Sequence, residues 1–96
     1  MRVRFTLPAH ADLHRIHAYI SEDDPIAASR VVARLIEAAR GLGQTPYEGR
    51  ETDEPDVRVM VVPRLRYFIF YMLADNEVQI THIRHTSRRR PARWRR

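Results

Sequence analysis

Three residues near the C-terminal end, His82, Arg84 and His85, are of types that can move a proton and hold a phosphate. An imidazole titrates near neutral pH and can serve as general base or acid, and a neighbouring guanidinium can stabilise charge developing on a phosphate. If this segment is a strand, alternation sets His82 and Arg84 on one face and His85 on the other. The competing reading of such a histidine is structural, hydrogen-bonded where the strand leaves its sheet. A second group, His10, His14 and His17, is spaced by four and three residues, which on a helix can bring two imidazoles to one face. No third ligand lies close in sequence, so no metal site is expected and the group reads as a solvated polar face. Ser21, Ser29 and Ser87 lack the context of a nucleophile elbow, and the three glycines form no phosphate-cradling loop. Serine-hydrolase and nucleotide-binding folds are thereby excluded, and no cofactor is expected.

Charge is concentrated at one end. All 17 basic residues are arginine, and residues 87–96 hold six of them (Arg88, Arg89, Arg90, Arg93, Arg95, Arg96) with no acid. The other residues keep eleven arginines against 12 acids, a net of −1, so the body is nearly neutral and the tail is cationic. Such a tail suits nucleic acid, an acidic protein, or solvent. Trp94 within it can stack on a base or an aromatic partner. A chain of 96 residues with 44% hydrophobic content has room for one small core, which gives a compact domain over residues 1–86 and an Arg-rich tail over 87–96. Without cysteine there is no disulfide framework, thiolate nucleophile or thiolate metal site. Neither a signal peptide nor a membrane span is expected, and a cytoplasmic home fits best.

The elements that must position these residues follow from periodicity. Met1 to Leu7 alternates Val3, Phe5 and Leu7 against Arg2, Arg4 and Thr6, the pattern of a half-buried strand. After Pro8, Leu13, Ile16 and Ile20 recur at helical spacing, with Ala9 and Tyr19 beside the stripe. Asp24-Pro25 then opens a second helix as N-cap and first residue, with Ala28, Val31, Val32, Leu35, Ala39 and Leu42 as its apolar face and Gly41 and Gly43 as stops. So short a link makes the two helices a hairpin. Gln44 to Asp56 carries Pro46, Gly49, Pro55 and the acids Glu48, Glu51, Asp53, Glu54 and Asp56, a polar surface loop. Three strands follow, Val57 to Val62, Arg66 to Leu73 and Val78 to Arg84, rich in β-branched and aromatic residues and joined by short turns into an antiparallel meander. The fold class is α+β, in the order β-α-α-β-β-β, with the helix hairpin on one face of a small, mainly antiparallel sheet. The strand Arg66 to Leu73 is almost wholly apolar, which predicts a central position with one face on the helix hairpin and the other left for a partner or curled inside its own fold.

The succession Ala11-Asp12-Leu13, Ile16, Tyr19-Ile20, Asp24-Pro25, Ala27-Ala28, Leu42, Pro46, Gly49-Arg50, Val57-Arg58, Tyr67, Ile69, Tyr71 and Ile83-Arg84-His85 resembles the RelE/ParE superfamily of bacterial toxins along essentially the whole chain. The resemblance implies the same fold, a dedicated antitoxin as partner, and one of two activities. RelE-like members cut messenger RNA on the ribosome without metal; ParE-like members poison DNA gyrase by protein contact. The nuclease branch carries an arginine directly after the first aromatic of the strand resembling Tyr67 to Tyr71, and this chain has Phe68 there, with Met60 at a further basic position, although Arg58 matches a basic one. Metal-free phosphodiester cleavage depends on fixed positive charge, and removing one such group typically costs about 10²–10³ in rate. The ParE-like branch is therefore favoured. On that reading, Arg84, His85, Arg88, Arg89, Arg90, Arg93 and Trp94 engage gyrase. Leu13, Ile16, Tyr19, Arg58, Phe68 and Phe70 are expected to meet an antitoxin helix lying in an apolar groove, with the antitoxin's acids meeting arginines. The alternatives are a ribosome-dependent endoribonuclease using Arg58, Tyr67, Arg84, His85 and Arg88, and an inactive homologue that only binds antitoxin and helps repress the operon.

Overall fold

The computed structural model describes residues 1–87; the segment from Arg88 onward, with the contacts expected of Arg88, Arg89, Arg90, Arg93 and Trp94, lies outside the described residues. The elements are β1 (Arg2–Phe5), α1 (Leu7–Ser21), α2 (Pro25–Gly41), β2 (Arg50–Glu51), β3 (Val57–Val62), β4 (Tyr67–Ala74) and β5 (Glu77–His85). They form two helices against one five-stranded mixed sheet of order β1-β5-β4-β3-β2.

Local chemistry sets the helix starts. The Thr6 hydroxyl accepts from Ala9 N–H at 3.3 Å and donates to the Ile80 carbonyl at 2.8 Å, so one side chain caps α1 and pins its entry to β5. Leu7 consequently begins the helix and is 83% exposed, where the alternation had placed it inward at the end of a strand. Asp24 caps α2 as its position before Pro25 predicts, accepting from Ala27 N–H at 3.0 Å. The β4–β5 hairpin turns on Asp75 and Asn76, both at positive φ (54° and 58°), the backbone of a two-residue hairpin turn that Asp and Asn tolerate well. Arg66, read from sequence as the first residue of a strand, instead closes the β3–β4 turn at φ 62°, with its N–H on the Val62 carbonyl.

The sheet departs from a simple meander at both edges. β1 pairs with β5 in parallel, Arg2 opposite Glu77 through Phe5 opposite Ile80, and the predicted acidic loop contains β2, which pairs antiparallel with β3. Between Phe70 and Tyr71 the β4–β5 register slips, Phe70 facing His82 while Tyr71 faces Ile80, and Thr81 bulges out with its hydroxyl on the Phe70 carbonyl at 3.1 Å.

β4 is central, as its two-sided hydrophobicity predicts. Tyr67, Ile69 and Tyr71 join Val78, Ile80 and Ile83 of β5 and Ala9, Leu13, Ile16, Leu35, Ala39 and Leu42 from the helical side in one core. Phe68 and Phe70 point the other way and cluster with Val59, their rings 6.1 Å apart. They are 6% and 7% exposed, so the second face presents no open strip of these two rings. Among the described residues, no helix is long and apolar enough to cross a membrane.

Candidate functional site

The most connected polar group of the described chain is Asp12, a residue the sequence reading assigned no role. It stands on α1 between Ala9 and Ile16 at the spacing of the apolar stripe and is 2% exposed. β1 ends after pairing as far as Ile80, so β5 beyond that point has lost its neighbour, and Asp12 fills the gap. Its Oδ2 accepts from the Ile83 backbone N–H at 2.9 Å and lies 3.1 Å from His82 Nδ1. Its Oδ1 accepts from Arg84 at 3.2 Å and from Arg15, one turn along α1. A carboxylate offers about four acceptor positions, and here each oxygen serves two donors. Buried charge is tolerated only when compensated in this way. The position of an acid inside an apolar helical stripe was the signal that could have exposed it.

His82 and Arg84 therefore share a face, as the alternation predicts, and meet at one carboxylate; His85 takes the other face. The His85 ring stands edge-on to Tyr67, centroids 5.0 Å apart, and its Nδ1 receives the Ser87 backbone N–H at 3.1 Å. Tyr67 itself is 6% exposed and belongs to the core.

Arg58 is placed at the far end of the sheet. It faces Tyr71, four residues along β4 from Tyr67, a separation of about 13 Å at strand spacing. Its guanidinium donates to the Gly49 carbonyl at 2.7 Å, pairs with Glu51 at 3.4 Å and lies 5.0 Å from the Tyr47 ring centroid. Tyr71 completes this anchor: its hydroxyl accepts from Gly49 N–H and donates to the Pro46 carbonyl, both at 2.8 Å. Burial pushes the Tyr71 phenol above its usual value, opposed by the Gly49 hydrogen bond and the nearby Arg58 charge. A Cβ on Gly49 would come within 2.7 Å of the Tyr71 hydroxyl and 2.8 Å of the Val59 carbonyl, which explains a glycine at this close approach.

The residues predicted to form sites are thus divided. Arg84 and His82 meet Asp12, His85 and Tyr67 pair with each other, and Arg58 secures a loop. Leu13 and Ile16, read as antitoxin contacts, are 7% and 8% exposed in the core against the sheet, because the stripe that sequence offered to a partner is consumed by β5 and β4. Tyr19 is 63% exposed on α1. His17 lies 3.3 Å from both Ser21 and Ser29, linking α1 to α2, while the His10 ring sits 6.0 Å from Phe5.

Comparison with known proteins agrees with this architecture. The family model described as the ParE toxin of the type II toxin–antitoxin system, parDE, matches residues 3–90. The toxin-named protein Y4kP of Sinorhizobium fredii is 38% identical over 90 residues, covering 94% of this chain and 93% of its own. Toxin RelE2 of Caulobacter vibrioides is 40% identical over 87 residues, covering 91% and 97%. Among solved structures, a chain of the chromosomal ParDE system from P. aeruginosa superposes with a TM-score of 0.80 at 27% identity, covering 88% of this chain and 95% of that one. The RelBE2 toxin–antitoxin complex from Mycobacterium tuberculosis shares the fold, at a TM-score of 0.68, 24% identity and the same coverage of 88% and 95%. Two helices on a mixed five-stranded sheet, together with a sequence match from β1 past β5, place the chain in the ParE toxin family of type II toxin–antitoxin systems, within the RelE/ParE superfamily.

Proposed function

We propose that this toxin acts in the cytoplasm by binding DNA gyrase through its C-terminal part, from Arg84 and His85 into the Arg-rich segment, and that a cognate antitoxin neutralises it. The observation that carries the choice of target is the dispersal of the cationic groups a nuclease would need. Arg58 is held by Gly49 and Glu51 about 13 Å from Tyr67, and Arg84 lies on the opposite face of β5 from the Tyr67–His85 pair. Phe68 stands where the nuclease branch carries arginine. Phosphoryl chemistry without metal requires fixed positive charge preorganised around one phosphate, and these residues are not so arranged. A protein–protein poison needs only a complementary surface, which a concentrated cationic segment supplies.

Purified toxin is expected to block supercoiling by gyrase or to trap gyrase-cleaved DNA, and truncation after Ser87 is expected to abolish the effect. Unimpaired supercoiling at saturating toxin would overturn the proposal. The ribonuclease reading retains the Tyr67–His85 pair, and it predicts cut messenger RNA in a translating extract, lost in His85→Ala. Harmless overexpression in the absence of antitoxin would instead favour the inactive homologue. The antitoxin partner is supported by the solved relatives, both of which come from toxin–antitoxin systems.

A further inference from the structure

Building on the reading of this chain as a toxin held by an acidic antitoxin, we infer that Arg15 and Arg84 form a carboxylate-recognition site, held open by the buried Asp12. Both guanidiniums converge on one oxygen, Asp12 Oδ1, although they come from different elements, α1 and β5. Each guanidinium has five N–H donors in a planar fork, so most of the donors of the pair remain available after Asp12 is served. Among the described residues, Asp12 is the acid that bonds either of them. Two positive charges thus face one negative charge, and the negative charge is sunk at 2% exposure while the Arg15 and Arg84 side chains stay 68% and 44% exposed. His82, 43% exposed, adds a third polar group at the rim.

A second carboxylate arriving from outside completes the charge balance and accepts the unused forks in the bidentate geometry that arginine favours. Asp12 has already restricted the two long side chains, so less conformational entropy remains to be lost on binding. The surroundings fit an acidic side chain on a partly apolar peptide better than a nucleic acid. Tyr19 lies one turn beyond Arg15 on α1, the spacing of neighbours on a helix surface, and is 63% exposed, so the cationic pair adjoins an aromatic surface. The residues before the cationic tail carry a net charge of −1, which gives the body no net attraction for a polyanion.

The test uses the full chain and a blocked helical peptide bearing one glutamate among leucines, read by the Arg15 and Arg84 Nε–H signals in NMR and by titration. The glutamate peptide is expected to shift both signals. Arg15→Gln should weaken binding roughly tenfold, the size of one charge-assisted hydrogen bond, and exchanging the peptide's glutamate for glutamine should weaken it as much. Because the cationic tail also attracts acids, dependence on Arg15 is the deciding readout. Equal binding by Arg15→Gln, equal binding of the glutamine peptide, or unmoved arginine signals would each overturn the site. A single-stranded oligonucleotide that displaces the peptide from these signals would assign it to nucleic acid and overturn it as well. If Arg15→Gln melts well below the native chain, Arg15→Lys, which keeps the charge beside Asp12 but lacks the fork, must still bind the glutamate peptide more weakly and shift the Arg84 signal less. Arg15→Gln should inhibit gyrase like the native chain, so failure of gyrase inhibition by the native toxin would sink the target assignment and leave this site to its own data.

Discussion

Removing the Asp12 carboxylate should be among the most damaging single changes in the helical part of this toxin. In Asp12→Ala the Ile83 N–H loses its acceptor on a strand edge that β1 does not reach, and an unsatisfied buried amide costs about 1–3 kcal/mol. The bond to His82 contributes about 0.5–1.5 kcal/mol. The pairs to Arg15 and Arg84 count for less, about 0–1 kcal/mol each, because their side chains are 68% and 44% exposed and water takes over when the acid is lost. The middles of these ranges add to about 4 kcal/mol, a large part of the roughly 5–15 kcal/mol by which small domains are stable. For a domain of this size that corresponds to a drop in melting temperature on the order of 15–30 °C. Asp12→Asn, which keeps one oxygen for Ile83 but turns donors toward two guanidiniums, should recover part of the loss. Urea unfolding gives the magnitude, and hydrogen exchange at the Ile83 amide gives the location. If Asp12→Ala unfolds within about 0.5 kcal/mol of the native chain and the Ile83 amide keeps its protection, the assignment of Asp12 as the link between α1 and β5 is wrong.

Tyr71→Phe should cost about 1–3 kcal/mol by orphaning Gly49 N–H and the Pro46 carbonyl, measurable by urea unfolding together with increased proteolysis in the 44–56 loop. Because the Tyr71 phenol is raised above 10.0 in the folded state, its contribution is fully present below that value and is lost as pH rises through the folded pKa; Tyr71→Phe should therefore flatten the alkaline limb of the stability curve. Gly49→Ala should destabilise by about 1–3 kcal/mol through collision with the Val59 carbonyl and the Tyr71 hydroxyl, and unchanged stability would contradict that close approach. At the acid end, the hydrogen bond from Arg4 holds the Glu77 carboxyl below 4.5, so its contribution is present above that value and is lost as pH falls through the folded pKa; Glu77→Gln should remove this dependence in unfolding curves measured between neutral and acid pH.

Much of the fold was legible because the relevant forces are local. Asp24-Pro25 starts α2 through a cap that depends on neighbouring residues, and the Asp75-Asn76 turn needs only residues that accept positive φ. The central place of β4 followed from apolar residues on both of its faces. What eluded sequence reading depended on distant partners. Leu7 continued the alternation of β1, yet the Thr6 hydroxyl found the Ile80 carbonyl and started a helix instead. The parallel β1–β5 pair and the two-residue β2 rest on contacts more than forty positions apart or too short to show a period.

By itself the sequence determined the order of the longer elements, the central strand and the separation of a near-neutral body from a cationic end, because composition and periodicity act along the chain; the family came from the resemblance its succession of residues carries. Only the tertiary structure decided which polar residues meet. The Arg58 side chain turned from a candidate site to the 44–56 loop because Gly49 and Glu51 lie within its reach. Leu13 and Ile16 were spent on the core once α1 lay on the sheet. Asp12 acquired its partners because the end of β1 left an amide of β5 in need of an acceptor, a demand that arises between elements and is written in neither one alone.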